Sequence, residues 1–144
     1  MPKPLPPERL PEDTIGQRIK KARLIKEWDI KTLSIESKAA ETSISRYERD
    51  LMKPTISTFR KLTSALGVNI GWLAGYENLP EDNMPQKIKK YRLLNGWSRY
   101  DLADQANLDY STIKKYENGE VVYPTEETVN KLEKALNIKI KSLK

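Results

Sequence analysis

The stretches TSISRYERD (residues 42–50) and STIKKYENG (residues 111–119) share Ile-x-x-Tyr-Glu at the same internal spacing, and the likeness extends far beyond them. A shift of 69 residues places Ile19 on Ile88, Arg23 on Arg92, Trp28 on Trp97, Leu33 on Leu102, Tyr47 on Tyr116 and Glu48 on Glu117. After Glu120 the shift becomes 70, and Pro54, Thr55, Leu62, Ala65 and Leu66 meet Pro124, Thr125, Leu132, Ala135 and Leu136. One inserted residue therefore lengthens one loop. So many landmarks in one register are not a product of helical composition. They divide the 144-residue chain into two small units. Units of about 60–70 residues lie near the lower limit of a self-sufficient hydrophobic core.

The pattern inside each unit is helical. After Thr14, a capping residue, Ile15, Ile19 and Ala22 recur at helical spacing through IGQRIKKARLIKEW. Short helices follow around Ile30–Ser37 and Glu41–Glu48. Pro54 stops the preceding element, and Thr55 caps a helix with the apolar stripe Ile56, Phe59, Leu62 and Leu66, closed by Gly67. A last short helix carries Ile70, Trp72 and Leu73. The pattern predicts an all-α fold of two tandem five-helix domains, at 14–76 and 84–144, the second truncated at its last helix. Residues 1–13, with five prolines in the first eleven, read as a flexible arm. Residues 77–83 read as a linker, and the stretch from Glu77 to Pro85 spans at most about 30 Å when extended.

The chain has no cysteine and no histidine, which removes disulfides, thiolate metal sites and the usual imidazole base. There is no G-x-x-x-x-G-K loop, no zinc-spaced cluster and no Ser/His/Asp set, so neither an enzyme nor a cofactor is expected. A formal net charge of +6, from 26 basic and 20 acidic residues, permits a nucleic-acid partner without selecting one. No apolar run approaches the ~18 residues of a membrane span, and MPKPLPPERLPED lacks the apolar centre of a signal peptide. A soluble, cytoplasmic protein is expected, with no membrane partner.

With these landmarks placed, each copy resembles the lambda-repressor-like helix-turn-helix domain of Cro and phage repressors, of the xenobiotic-response-element type. Leu33 and Leu102 match that family's buried leucine of the second helix, and Ile44 and Ile113 its buried position of the third. Ser34 and Ala103 match its small residue, and Glu48 and Glu117 its terminal acid. The resemblance implies that Arg23 pairs with Glu48, and Arg92 with Glu117, as structural salt bridges. It also implies a sequence-specific double-stranded DNA-binding transcriptional regulator, a repressor, that reads the major groove with the third helix of one or both domains.

Carried over position by position, the resemblance makes Glu41, Thr42 and Ser45 the base-contact candidates of copy one, with Ala40 beside them. Those of copy two are Tyr110, Ser111 and Lys114, beside Asp109. Arg46, Lys53, Arg99 and Lys115 are the phosphate candidates. Glu41 or Asp109 can accept from cytosine N4 or simply cap its helix, and Tyr110 can stack or meet a thymine methyl. Arg99 can replace, through its guanidinium donors, the phosphate contact made by the family's glutamine. Copy one has Ile30 there, which cannot. It also has Lys38 where the family commonly keeps a glycine, whereas copy two has Asn107, a better fit to left-handed backbone. The basic runs RIKKAR and KIKKYR of the first helices fit a solvated face as well as a phosphate-facing stripe. Two further readings stay open: a protein-interaction or dimerisation module in which copy one has lost DNA reading, and an antitoxin-like protein. Either leaves room for a homodimer or another protein partner.

Overall fold

The computed structural model describes residues 6–140. The first five residues of the expected arm and the last four of the second domain lie outside the described residues. The described residues form nine α-helices and no strand. Copy one carries α1 (Ile15–Ile25), α2 (Ile30–Ser37), α3 (Glu41–Glu48), α4 (Ile56–Leu66) and α5 (Ile70–Leu73). Copy two carries α6 (Met84–Leu94), α7 (Arg99–Ala106), α8 (Tyr110–Glu117) and α9 (Glu126–Leu136). The chain divides into two compact units between Gly75 and Tyr76.

Each unit wraps its helices around one apolar centre. Ile19, Leu33, Ile44, Phe59, Leu62 and Leu73 are fully buried in the first, and Ile88, Leu102, Ile113, Leu132 and Ile140 in the second. Each such leucine or isoleucine contributes about 1.5–3 kcal/mol over leaving it exposed, so two small cores are enough to order the helices. The first helix is shorter than the sequence pattern implied. It ends at Ile25 because the chain turns through Glu27 at φ 59°, letting the Trp28 amide bond back to the Arg23 carbonyl. In copy two Gly96, at φ 72°, makes the same turn.

Residues 6–13 run against α1. A 3-10 turn at Pro7–Arg9 packs on that helix, the Arg18 Nε donates to the Glu12 carbonyl at 2.7 Å, and Lys21 Nζ donates to Glu12 Oε2 at 2.7 Å. Copy two repeats the device. A 3-10 turn at Tyr76–Asn78 packs on α6, Tyr76 is buried, and Lys90 Nζ meets Glu81 Oε2 at 2.7 Å. The two turns stand 69 residues apart, as do Leu-Pro-Glu-Asp at residues 10–13 and Leu-Pro-Glu-Asp at residues 79–82. The duplicated pattern thus starts ahead of the first helix of each copy.

Copy two has no counterpart of α5 among the described residues. Instead the chain turns at Asn137, the Ile140 amide donates to Glu133 Oε2 at 2.7 Å, and the Ile140 side chain, 1% exposed, closes the core that Val129, Leu132 and Leu136 line from α9. This core is therefore covered without a fifth helix among the described residues.

Candidate nucleic-acid interface

In each copy the second and third helices are joined by a turn that needs one left-handed residue. Lys38 takes it at φ 65° in copy one, and Asn107 at φ 55° in copy two. A lysine there is disfavoured by the contact of its Cβ with the following carbonyl. Two serines hold the turn around it. The Ser34 hydroxyl donates to the Ala39 carbonyl, and Ser37 Oγ donates to the Leu33 carbonyl at 2.6 Å while accepting from the Ala39 amide at 3.2 Å. Copy two has Ala103 and Ala106 at those positions, both buried.

The third helix of each copy is anchored at its far end by a buried ion pair. Arg23 Nε and Nη2 donate to the two carboxylate oxygens of Glu48 at 2.7 and 2.8 Å, and Nη1 donates to the Trp28 carbonyl at 2.8 Å. Arg92 repeats this with Glu117 at 2.6 and 2.9 Å and with the Trp97 carbonyl at 2.8 Å. Two-point Arg–carboxylate bonding fixes direction as well as distance, so each pair sets the angle at which the third helix leaves the core.

That helix turns one face inward, with Ile44 and Tyr47 buried in α3 and Ile113 and Tyr116 buried in α8. On α3, Glu41, Thr42 and Arg46 are exposed and Ser45 is half-buried; on α8, Ser111, Lys114 and Lys115 are exposed and Tyr110 is half-buried. Seven of the nine α-helices begin with a side chain bonded back to a first-turn amide, from Thr14, Asp29, Thr55, Asn69, Asn83, Ser98 and Thr125. The two that do not are α3, at Ala40, and α8, at Asp109. The Asp109 carboxylate makes no capping bond, and Glu41 stands inside the helix. Exposed amides at a helix start favour an anion, and these two helices keep them uncapped.

Two phosphate candidates sit differently from their counterparts. Lys53 is exposed in the loop between α3 and α4, beside exposed Leu51 and Met52. Arg99, at the start of α7, reaches across to α8. Its Nε lies 3.3 Å from Glu117 Oε1 and its Nη2 3.3 Å from Asn118 Oδ1. Partial burial works against the guanidinium charge, but its interactions with the nearby Tyr110 phenol and Glu117 carboxylate outweigh it and hold the Arg99 pKa above its ordinary value. Glu117 thus faces two arginines, and Glu48 one. Tyr110 is held by Tyr100 of α7: the two rings stack with centroids 4.2 Å apart and planes 17° apart. The matched positions of copy one, Lys31 and Glu41, have no rings to stack.

The basic runs of the first helices turn largely inward. Arg18 bonds the Glu12 and Trp72 carbonyls and lies over the Trp72 ring, Lys21 and Lys90 pair with Glu12 and Glu81, and Lys87 donates to the Lys139 carbonyl at 2.8 Å. Exposed Lys20 and Lys89 are the members that face solvent. Sequence reasoning missed Tyr100 as Tyr110's partner and the paired acids Glu12 and Glu81, although the second Leu-Pro-Glu-Asp lay in the register already found.

A helix-turn-helix family model matches residues 19–73 and again 88–143, well over half of the chain. The chain belongs to the helix-turn-helix family, in two tandem copies. Domains of this family are DNA-binding modules without catalytic function, which gives the chain a DNA-binding, regulatory role in general terms. No characterised protein and no solved structure matches it significantly. Among the described residues no group of acids is gathered that would hold a metal ion, and no helix is long and apolar enough to cross a membrane.

Proposed function

We propose that the chain is a sequence-specific regulator of transcription, a repressor, that reads double-stranded DNA in the major groove and does so chiefly through copy two. The observation that carries this reading is the start of α8. It is uncapped, it presents Ser111, Lys114 and Lys115 to solvent, and it holds Tyr110 beside them in a fixed pose. A helix docked by its N-terminal half brings such groups to base edges while neighbouring cations meet phosphates. Ser111 and Lys114 are the base-reading pair and Lys115 the phosphate contact. In copy one Thr42 and Ser45 read bases, with Arg46 and Lys53 on phosphates. Arg99 serves less as a phosphate ligand than as a brace between α7 and α8.

A second reading concerns copy one alone. Its α3 starts with Glu41, an acid where a phosphate would approach, and Ile25, Ile35 and Leu51 are 53%, 66% and 67% exposed. These features suit a protein partner, a second copy of the chain or another protein, better than they suit DNA. Selection from a random duplex library by the full-length chain separates the readings, at moderate salt to suppress binding driven by counterion release. Two unlike motifs at fixed separation mean that both copies read. One motif, weakened by Lys114→Ala with Ser111→Ala and untouched by Thr42→Ala with Ser45→Ala, means that copy two reads alone. No enriched motif removes the reading.

A further inference from the structure

Copy two places two tyrosines from different helices in one stack at the outer edge of its reading helix. Tyr100 is 65% exposed, far more than an aromatic recruited to the core, so the contact with Tyr110 is made at the surface. The stack covers one face of the Tyr110 ring. Arg99, from the same turn of α7, is tied to Glu117 at the far end of α8, and Glu117 is bonded to Arg92 beneath. Tyr110 is therefore constrained through one face of its ring. Tyr110 is only half-buried, so part of its apolar ring remains accessible to a ligand. In the major groove the apolar landmark is the C5 methyl of thymine.

We propose that Tyr100 is a positioning residue that presents the Tyr110 ring to a thymine methyl, so that copy two discriminates one thymine by shape contact. This rests on copy two reading DNA, as argued above, and adds the base it reads with this residue. Copy one lacks the device, with Lys31 and Glu41 at the matched positions.

The test uses the full-length chain and the duplex enriched by selection, with each thymine replaced in turn by uracil, which differs only by lacking that methyl. The unaltered chain is expected to lose about fourfold in affinity at one position, the size that goes with one methyl taken out of contact. Tyr100→Ala and Tyr110→Ala are expected to bind the thymine and uracil duplexes equally. Tyr100→Phe, which keeps the ring, should retain the fourfold difference, and Tyr100→Leu, which keeps bulk without a ring, should lose it. Thermal unfolding of each variant separates a lost pose from a lost fold, and the ratio of the two affinities is insensitive to overall weakening. Full discrimination by Tyr100→Ala would overturn the proposal, as would indifference of the unaltered chain to every uracil. Binding unaffected by Lys114→Ala with Ser111→Ala, or no enriched duplex at all, would instead remove the reading on which the proposal stands. Indifference to uracil with Lys114 dependence intact overturns only the role of Tyr100.

Discussion

Copies one and two bend their backbones in the same places and fill those places with different residues. Four positions take the left-handed conformation in both, and the first three are Glu27, Lys38 and Asp50 in copy one and Gly96, Asn107 and Gly119 in copy two. After the fourth helix the asymmetry reverses, with Gly67 in copy one and Asn137 in copy two. The packing of helices dictates where the chain must turn left. Local preference only decides how much strain the turn stores, about 1–2 kcal/mol for a residue with a Cβ and least for glycine and asparagine. Copy one carries more of that strain and offsets it with side-chain bonds, from Ser34 and Ser37 around Lys38 and through the Asp50 carboxylate, which accepts from Thr14 Oγ1 at 2.7 Å and from the Gly16 amide at 2.9 Å. Copy two has the simpler turns and, on its third helix, the more heavily braced side chain.

The comparison breaks most visibly at the buried ion pairs. Removing Arg23 leaves the Glu48 carboxylate, whose side chain is 6% exposed, without its cation, and an orphaned buried charge costs about 3–5 kcal/mol. Arg92→Ala does the same to Glu117, which is 0% exposed but keeps Arg99 at 3.3 Å. Arg23→Ala is therefore expected to destabilise its copy by more than Arg92→Ala does, and the double change Arg92→Ala with Arg99→Ala should restore the full loss. Amide exchange resolved between α1 and α6 in the full chain measures each copy separately. Equal losses from Arg23→Ala and Arg92→Ala would show that Arg99 contributes nothing to Glu117.

A smaller difference lies where the first helix meets the end of the third. A Cβ added to Gly16 would stand 2.4 Å from the Tyr47 carbonyl oxygen and 2.7 Å from that of Glu48, both backbone atoms that cannot swing aside. Copy two has Pro85 at the matched position and Gly119 opposite, where an added Cβ meets only the Pro85 ring at 3.8 Å. Gly16→Ala is expected to cost about 1–3 kcal/mol, as overpacking does. Pro85→Ala should cost less than that. Denaturant midpoints at unchanged slope are the measure, and a neutral Gly16→Ala would show that α1 is free to slide on α3.

Much of this fold was legible in the chain because it depends on local, periodic signals. The register, the stripe and ends of α4 and the approximate places of α2, α3 and α5 could be read from apolar spacing and breaker residues alone. The lead-in segments could not, because prolines at 6, 7 and 11 and the polar run from Glu77 to Asn83 carry the same composition whether or not they dock. Their order comes from Glu12 and Glu81 meeting lysines nine residues on, a contact composition does not encode. The candidate site was less legible still. The family resemblance implied a phosphate role for Arg99, but its partners Glu117 and Asn118 lie at the far end of another helix. The Tyr100–Tyr110 stack likewise joins side chains that only the turn at Asn107 brings together.

Lys38→Gly tests whether the serine-bonded turn of copy one is truly strained. The change removes the Cβ from left-handed backbone and is expected to stabilise copy one by up to about 1 kcal/mol, since glycine's greater freedom in the unfolded chain offsets part of the gain. Asn107→Gly in copy two should give less, because asparagine already tolerates the conformation. Parallel melting of the two variants would reverse this ranking if Ser34 and Ser37 had already relieved the turn.

The smallest expected effect concerns the two lead-in acids, where the copies should behave alike. The Glu12 carboxyl is held below its ordinary value of 4.5 by its hydrogen bond from Lys21, and Glu81 below the same value by that from Lys90. A depressed carboxyl pKa makes the folded state release its proton more readily than the unfolded one. The stabilisation is therefore complete above about pH 4.5 and is lost as the pH falls through the depressed values. Glu12→Gln and Glu81→Gln should each lower the melting temperature slightly at neutral pH, and the deficit should close on acidification, because the protonated carboxyl of the unaltered chain then resembles the amide. Both carboxyls face solvent, so added salt should shrink the neutral-pH deficit as well. A deficit that persisted at low pH would mean that the lead-in docks through Leu10 and Leu79, both half-buried, with its ion pairs incidental.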